Sequence, residues 1–436
     1  MPKNKINIVT LGCSKNVVDS EKLMRQLGAG GFKVVHDPED TSSGTVIINT
    51  CGFIHDAKEE SIDTILRFVK ARQTGDIENL YVMGCLAERY MHELKQEIPE
   101  VKQYFGVNNF SGILKEMGLS LRDDLLTERM LTGPDHYAYL KISEGCDRKC
   151  AFCAIPLIRG KYTSRPVNDL MNEAEKLASA GVKELILIAQ DLSYYGLDLY
   201  RKQALPELVM QLSNSNLFEW VRLHYLYPSN FPKEIIKIMQ DNKNICSYID
   251  IPLQHISDSM LKLMKRSHGR KETLSLLDYI RKEIPTATIR TTFIAGHPGE
   301  KESDYVELRD FIQEFRFDRL GVFSYSHEED TYSYSKYKDD VPEETKQSRV
   351  DELMAIQQDI SAGINRSKIG TVVKVLIDRK EGDYFAARTE FDSPEVDQEV
   401  LISSESKLTV GNFYDIEITD ATEFDLFGKP VLGARC

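Results

Sequence analysis

Cys146, Cys150 and Cys153 stand in the segment GCDRKCAFC, and their type and spacing make the strongest chemical statement in the chain. Separations of four and three residues let one tight loop turn three sulfurs toward a common point, as ligation of a cuboidal iron-sulfur cluster requires. Three thiolates leave one iron open. A structural zinc would want a fourth protein ligand, usually from a second Cys-x-x-Cys pair or a nearby His, and none is adjacent. Three unconnected buried thiols fit poorly in a loop that also carries Asp147, Arg148 and Lys149.

A second set is scattered in sequence. Cys13, Cys51 and Cys85 each follow, within two residues, one of the apolar runs IVTLG, TVIIN and LYVMG. If these runs are parallel strands, their carboxyl ends share one sheet edge, where open α/β sheets place ligands, and the three thiols converge there. Taken singly, each is as well read as a core thiol, free cysteine being among the most buried residue types. Cys246, beside a strand, and Cys436, the last residue, match no ligand motif.

The elements that must position these residues are legible as periodicity. In the first hundred residues strand-like runs alternate with helical patterns over 17–27, 57–71 and 86–97, which predicts βα units around a parallel sheet. After a polar connection, 121–135, come six strand candidates: YLKIS, ELILIAQD, WVRLHYLY, YIDIPLQ, TIRTTFIAG and RLGVFSYS. With helical stretches at 169–180, 232–242 and 302–315 between them, they predict an incomplete (β/α)6 barrel with its chemistry at the carboxyl ends of the strands. A helix from Pro342 to about Asn365 leads out. From Thr371 the pattern changes to short alternating strands, VVKVLID, YFAART, EVLIS and FYDIEIT, which predict a small antiparallel β-barrel. The fold class is α/β, with domains expected over 1–121, 132–365 and 366–436.

Composition bounds the function. The 436 residues are 42% apolar and 28% charged, a globular balance. Nowhere do about 18 apolar residues follow one another, and MPKNKINIVT enters a strand without an apolar signal region, so no membrane is involved and the cytoplasm is expected. There, thiols serve as metal ligands, catalytic groups or core residues more often than as disulfides. A net charge of −13 excludes a globally basic coat for nucleic acid. The last 63 residues hold 14 acids against 7 bases. The run Asp392, Glu395, Asp397, Glu399 therefore reads as an exposed loop that docks a Lys/Arg-rich protein, whereas a reader of tRNA would present a positive groove to phosphate.

The CxxxCxxC loop resembles the signature of the radical S-adenosylmethionine superfamily. That resemblance implies a 4Fe-4S cluster whose open iron binds the cofactor, and reductive cleavage to a 5′-deoxyadenosyl radical that abstracts hydrogen from an unactivated carbon. Over nearly its whole length the chain is similar to the methylthiotransferases, through LGCSKNVVDSE, INTCGFIHDAKEESID, GCLAERY, ISEGCDRKCAFCAIPLIRGKYTSRP, IAQDLSYYG, YIDIPLQHISDSMLKLMKR and FIAGHPGE. This likeness implies a second 4Fe-4S cluster on Cys13, Cys51 and Cys85 that takes part in sulfur insertion, a TRAM domain at the carboxyl end, and a second S-adenosyl-L-methionine as methyl donor. LGCSKNVVDSE, YIDIPLQHIS and RTEFDSPEVDQEV are similar to the branch that modifies an aspartate of small-subunit ribosomal protein S-twelve, rather than the branch that modifies adenosine in tRNA. A carbon-bound hydrogen beside a carboxylate is too weak an acid for a general base, so a radical route is a physical requirement. A non-catalytic iron-sulfur protein for electron transfer or sensing would need neither the open iron nor the barrel.

At the expected cofactor edge, Gln190 and Asp191 end the second barrel strand and Gln254 and His255 the fourth, where polar groups can hold ribose or methionine or else cap the following loops. Gly296 and Gly299 in IAGHPGE let backbone approach the adenine, or simply turn the chain. His297 stands where the family more often has an aromatic residue, and reads as a solvated loop histidine. Arg148, Lys149, Arg159, Lys161 and Arg165 offset the charge of a reduced cluster or meet an acidic flavodoxin- or ferredoxin-like electron donor.

Overall fold

The computed structural model describes residues 4–37 and 44–431. In the amino-terminal domain β1 (Lys5–Thr10), β2 (Lys33–His36), β3 (Thr45–Thr50), β4 (Asn79–Gly84) and β5 (Gln103–Tyr104) form a parallel sheet in the order β2-β1-β3-β4-β5. Helices α1 (Ser14–Ala29), α2 (His55–Gln73) and α3 (Cys85–Glu97) follow β1, β3 and β4, so the three predicted βα units are present. The edge strands β2 and β5 escape the sequence reading, because four and two residues carry too little alternation to register. Ile8, Ile47 and Tyr81 pack on the α1 side, and Val46, Ile48 and Val82 on the α2 and α3 side, as a strand period of two demands. A short α4 (Phe110–Glu116) ends the domain.

All six predicted barrel strands form: β6 (Tyr137–Lys141), then, after the short pair β7 (Ser143–Glu144) and β8 (Thr163–Ser164), β9 (Glu184–Ile188), β10 (Trp220–Leu223), β11 (Tyr248–Asp250), β12 (Thr288–Ala295) and β13 (Arg319–Ser324). They make two parallel three-stranded sheets, β6-β9-β10 and β11-β12-β13. Amide bonds from Val221 to Asn244 O (2.7 Å), Cys246 to Val221 O (3.0 Å) and Leu226 to Asp250 O (2.8 Å) join them into one curved wall. Among the described residues no ladder joins β6 to β13, so the barrel stays open there. The 143–164 excursion contains α5 (Ile155–Arg159), and the core helices continue with α6 (Val167–Ser179), α7 (Leu205–Asn214), α8 (Glu234–Asp241), α9 (Asp258–Leu263), α10 (Arg270–Glu283), α11 (Glu302–Phe315), α12 (Tyr332–Lys336) and α13 (Glu343–Arg366). Among the described residues no helix is long and apolar enough to cross a membrane.

Alternation along the barrel strands fixes what lies inside. Leu185, Val221, Ile249, Ile289, Phe293 and Val322 pack outward under the helices. Their neighbours Glu184, Arg222, Tyr248, Arg290 and Arg319 must therefore face inward, an inner wall far too polar to fill itself.

The carboxyl-terminal domain covers the lower part of that wall. Its strands β14 (Val372–Glu381), β15 (Tyr384–Thr389), β16 (Val400–Ser403), β17 (Phe413–Ala421) and β18 (Leu426–Pro430) close a barrel in the order β14-β15-β16-β18-β17. Four of these strands were expected; β18, LFGKP, was hidden by its Gly and Pro. The domain turns Asp392 and Asp397 of its acidic run inward while Glu395 stays exposed, which corrects the expectation of a wholly exposed docking loop. Asp392 is fully buried, accepting from Arg319 Nε (3.1 Å) and Thr389 Oγ1 (2.6 Å). Asp397 accepts from Tyr248 O–H (2.7 Å) and lies 3.4 Å from Arg290 Nε. Glu395 accepts from Tyr137 O–H (3.3 Å), and Glu399 holds Arg379 within the small barrel. Glu184 sits between Arg222 (2.7 Å) and Arg388 (2.8 Å). Inward-facing arginines would be prohibitively costly without partners; the loop supplies them to Arg290 and Arg319, and β9 supplies Glu184 to Arg222. Cys246 is a core thiol of the same joint, packed with Trp220, Tyr248 and Leu376, while Cys436 lies outside the described residues.

Candidate functional site

The amino-terminal thiols gather at the carboxyl edge of their sheet. Cys13 caps α1 and Cys85 opens α3, so both stand at helix amino termini. Gly12, at φ +88°, comes so close to Cys51 that a Cβ there would lie 2.7 Å from the Cys51 Cβ. Gly84, at φ +99°, likewise has no room for a Cβ beside Thr50. Asn16 ties the strand ends together: Nδ2 donates to Leu11 O (2.8 Å) and Thr50 O (3.2 Å), while Oδ1 lies 3.9 Å from Cys85 Sγ. Ser61 brackets the Cys51 backbone, accepting from its N–H (3.0 Å) and donating to its carbonyl (2.9 Å). Burial raises the Cys85 thiol to about 12, with Cys13 and Cys51 close enough to add to the rise and Arg159 opposing it.

The core thiols lie on the excursion whose base is the antiparallel β7–β8 pair. Its path is pinned by Cys146 N–H to Gly160 O (3.1 Å), Tyr162 N–H to Asp147 Oδ1 (3.0 Å) and Ala151 N–H to Met264 O (2.9 Å). Burial holds Cys146 at about 12 and pushes Cys153 up as well. Two cations stand beside them. Arg266 Nη1 donates to Cys150 Sγ (3.3 Å), and the guanidinium groups of Arg148 and Arg266 lie 3.9 and 4.1 Å from the centre of the Tyr227 ring, whose O–H is 3.8 Å from the same sulfur.

The expected cofactor edge surrounds this loop. Gln190 is half-buried just past β9. Both Asp191 oxygens are engaged, one by Arg148 Nε (2.7 Å) and the other by the Ser193 N–H (2.8 Å). Gln254 is half-buried past β11 with φ +74°. His255 Nδ1 accepts from the Ile256 and Ser257 amides (2.9 and 3.0 Å), which leaves the proton on Nε2, buried and without a hydrogen-bond partner. Gly296 (φ +80°) donates its amide to Glu300 Oε2 (2.8 Å), and Gly299 (φ +84°) donates to Asp340 Oδ1 (2.9 Å), so the turn itself accounts for both glycines. His297 is not solvated: it is fully buried, with Nε2 2.9 Å from Ser333 Oγ, and burial lowers it to about 4.

Of the five bases near the core cysteines, Arg148, Arg159 and Arg165 turn inward to carboxylates, while Lys149 and Lys161 are exposed. Sequence reasoning missed Asn16, Tyr227 and Arg266. Asn16 leaves a faint signal, an Asn three residues beyond a cysteine at a strand-to-helix turn; Tyr227 and Arg266 meet Cys150 only through the tertiary fold.

The donor sets suit iron-sulfur clusters. Each site offers three soft thiols flanked by cations that compensate thiolate charge. Among the described residues no three His, Cys, Asp or Glu side chains form a ready-made site for a single metal ion.

The chain matches the radical SAM superfamily over residues 140–312, the uncharacterized protein family UPF0004 over 5–106 and the TRAM domain over 369–431. It is 54% identical over 430 residues to the ribosomal protein uS12 methylthiotransferase RimO of Bacteroides fragilis, covering 98% of this chain and 100% of that protein. To the protein of the same name from Parabacteroides distasonis it is 51% identical over 429 residues, 98% of this chain and 99% of that one. Among solved structures, the radical S-adenosylmethionine methyltransferase TsrM of Kitasatospora setae, with cobalamin and a [4Fe-4S] cluster bound, aligns with a TM-score of 0.55 at 13% identity, over 74% of this chain and 75% of that one. The cobalamin-dependent radical enzyme OxsB aligns at 0.52 and 13% identity, over 82% of this chain and 56% of that one. These two share its fold.

Proposed function

The chain belongs to the RimO family of radical S-adenosylmethionine methylthiotransferases, and on that premise we propose that it attaches a methylthio group to the β-carbon of an aspartate in small-subunit ribosomal protein uS12, in the cytoplasm. The observation that carries this reading is the pair of three-thiol sites at the carboxyl edges of two adjoining parallel sheets. Cys146, Cys150 and Cys153 would hold one 4Fe-4S cluster, and Cys13, Cys51 and Cys85 the other. When bound, the first supplies the electron that cleaves S-adenosylmethionine, the second takes part in sulfur insertion, and a further S-adenosylmethionine supplies the methyl group.

The chain's own residues orient and exclude. Gln190, Gln254 and His255, whose buried Nε2–H makes no hydrogen bond and lies 3.9 Å from Glu300 Oε2, are the groups at this edge that would bind the polar parts of the cofactor. Asp191 acts one step back, fixing Arg148 beside Tyr227. Val18 packs on Ile186 and Ile188, so α1 roofs the inner wall and keeps water from it. Lys149 and Lys161 remain as an exposed patch for an acidic flavodoxin- or ferredoxin-like donor.

With Asp392 and Asp397 engaged internally, substrate docking falls to a cleft of about 770 Å³ between β13, α13 and the small barrel. Phe323, Met354, Val396 and Phe424 are exposed along it and Asp351, Glu423 and Asp425 line it, a surface suited to a basic protein segment rather than to phosphate. Mass spectrometry of ribosomal proteins and tRNA from a strain lacking this gene tests the reading. Loss of one methylthio group from uS12 is expected. An unmodified tRNA adenosine with uS12 unchanged would overturn it.

A further inference from the structure

We infer that Arg159 is a positioning residue that couples the two thiol sites, carried on the core's cysteine excursion and delivered to the sulfur of Cys85. The inference rests on Cys13, Cys51 and Cys85 being cluster ligands. Helix α5 starts two residues after Cys153 and spans five residues, a short strut from one site toward the other. Ala154 and Ile158 pack on Cys85, with Val107 closing the contact. At the end of the strut Arg159, its side chain 1% exposed, places Nη2 2.6 Å from Asn16 Oδ1 and 3.5 Å from Cys85 Sγ. Its Nη1 lies 2.9 Å from Glu144 Oε1 and 3.3 Å from Asp19 Oδ2. Lys141 holds the same two carboxylates.

The quartet of Asp19, Glu144, Lys141 and Arg159 is neutral as a whole but oriented, with a guanidinium edge aimed at sulfur. Its planar fork reaches Asn16, the sulfur and both carboxylates at once, which a lysine ammonium cannot match. One side chain thereby fixes the distance between the sites and sets a cation beside the amino-terminal thiolates, where positive charge raises a cluster's reduction potential.

The test compares Arg159→Met and Arg159→Lys with the parent in two full-length backgrounds, one lacking Cys146, Cys150 and Cys153 and one lacking Cys13, Cys51 and Cys85. Each is reconstituted with iron and sulfide and titrated by EPR. In the first background Arg159→Met should keep its iron and shift the midpoint potential negative, and Arg159→Lys should restore most of that shift. In the second background neither variant should move the potential. Separately, in the metal-free protein with all cysteines intact, hydrogen exchange over residues 13–20 should be roughly tenfold faster in Arg159→Met. An unshifted potential with full iron, or unchanged exchange over 13–20, overturns the inference. Absence of any iron in the first parent would instead refute the ligand reading beneath it.

Discussion

At the joint between the barrel and the carboxyl-terminal domain, Arg222, Arg319 and Arg388 each meet a buried carboxylate, whereas at the joint with the amino-terminal domain Arg159 divides its donors between carboxylates and a thiol. Both joints bury arginine against Asp or Glu, and both hold a thiol near the charge, but the first has the lone core thiol Cys246, whereas at the second the arginine donates to a thiol that stands with two others. A closed set of ion pairs holds domains in place and does nothing more; a set that includes a sulfur can also act on what the sulfur binds. The inner wall of the open barrel is accordingly split, sealed below by the acidic loop and roofed above by α1.

The largest effect that would break this comparison is removal of everything after Gly370. Arg319 would lose the carboxylate of Asp392, Arg222 would keep Glu184 but lose the Glu390 and Thr389 carbonyls, and an uncompensated buried charge is strongly destabilising. Circular dichroism and thermal melts of the truncated chain should show no cooperative core. A stable core with an unchanged melting temperature would show that the lower joint is dispensable. Single charges grade the two joints. Asp392→Asn should cost about 3–5 kcal/mol in urea unfolding. Glu328→Gln, at the upper joint, where Glu328 accepts from Arg89 (2.7 Å) and Lys58 (2.9 Å), should cost about 1.5–3 kcal/mol. The reverse ranking would put the tighter lock at the thiol side.

Acid probes the core beside the cysteine excursion. His297 bolts the β12 turn to Ser333 on α12, whose Ser333 N–H also bonds Ala151 O (2.7 Å) in the cysteine excursion. Burial keeps His297 neutral, lowering it from 6.5 to about 4. Its contribution is therefore complete above pH 6.5 and is lost as the pH falls toward 4, a loss of about 2 kcal/mol by pH 5. His297→Gln should correspondingly shrink the drop in unfolding free energy between pH 7 and pH 5, and an unchanged drop would assign the acid sensitivity elsewhere. The smallest effect concerns docking: Asp351→Lys with Glu423→Lys should raise KM for uS12 roughly threefold to tenfold, less at high salt, with uncoupled cofactor cleavage intact. An unchanged KM would remove the cleft from the account.

Much of this architecture is legible in the sequence because burial on one or both faces leaves a period that survives in the chain. The six barrel strands, the three cysteine-bearing βα turns and α11 (Glu302–Phe315) all carry it. What escaped are elements whose reason lies elsewhere. β5 and β18 are too short or too rich in Gly and Pro to show alternation. The orientation of Asp392 and Asp397 could not be read either, since an acidic loop looks the same whether it meets water or the arginines of a barrel over 70 residues away. His297 misled for the same reason: only the fold reveals that Ser333 is waiting for it.

If both cysteine triads are ligand sets, the chain holds two separate clusters. Iron analysis with Mössbauer spectroscopy of the anaerobically reconstituted protein tests it directly. The parent should hold about eight irons as two 4Fe-4S clusters, and replacing either Cys13, Cys51 and Cys85 or Cys146, Cys150 and Cys153 by Ala should leave about four, with cofactor cleavage surviving only in the first variant. Full iron content in either triple variant, or cofactor cleavage without Cys146, Cys150 and Cys153, would contradict it.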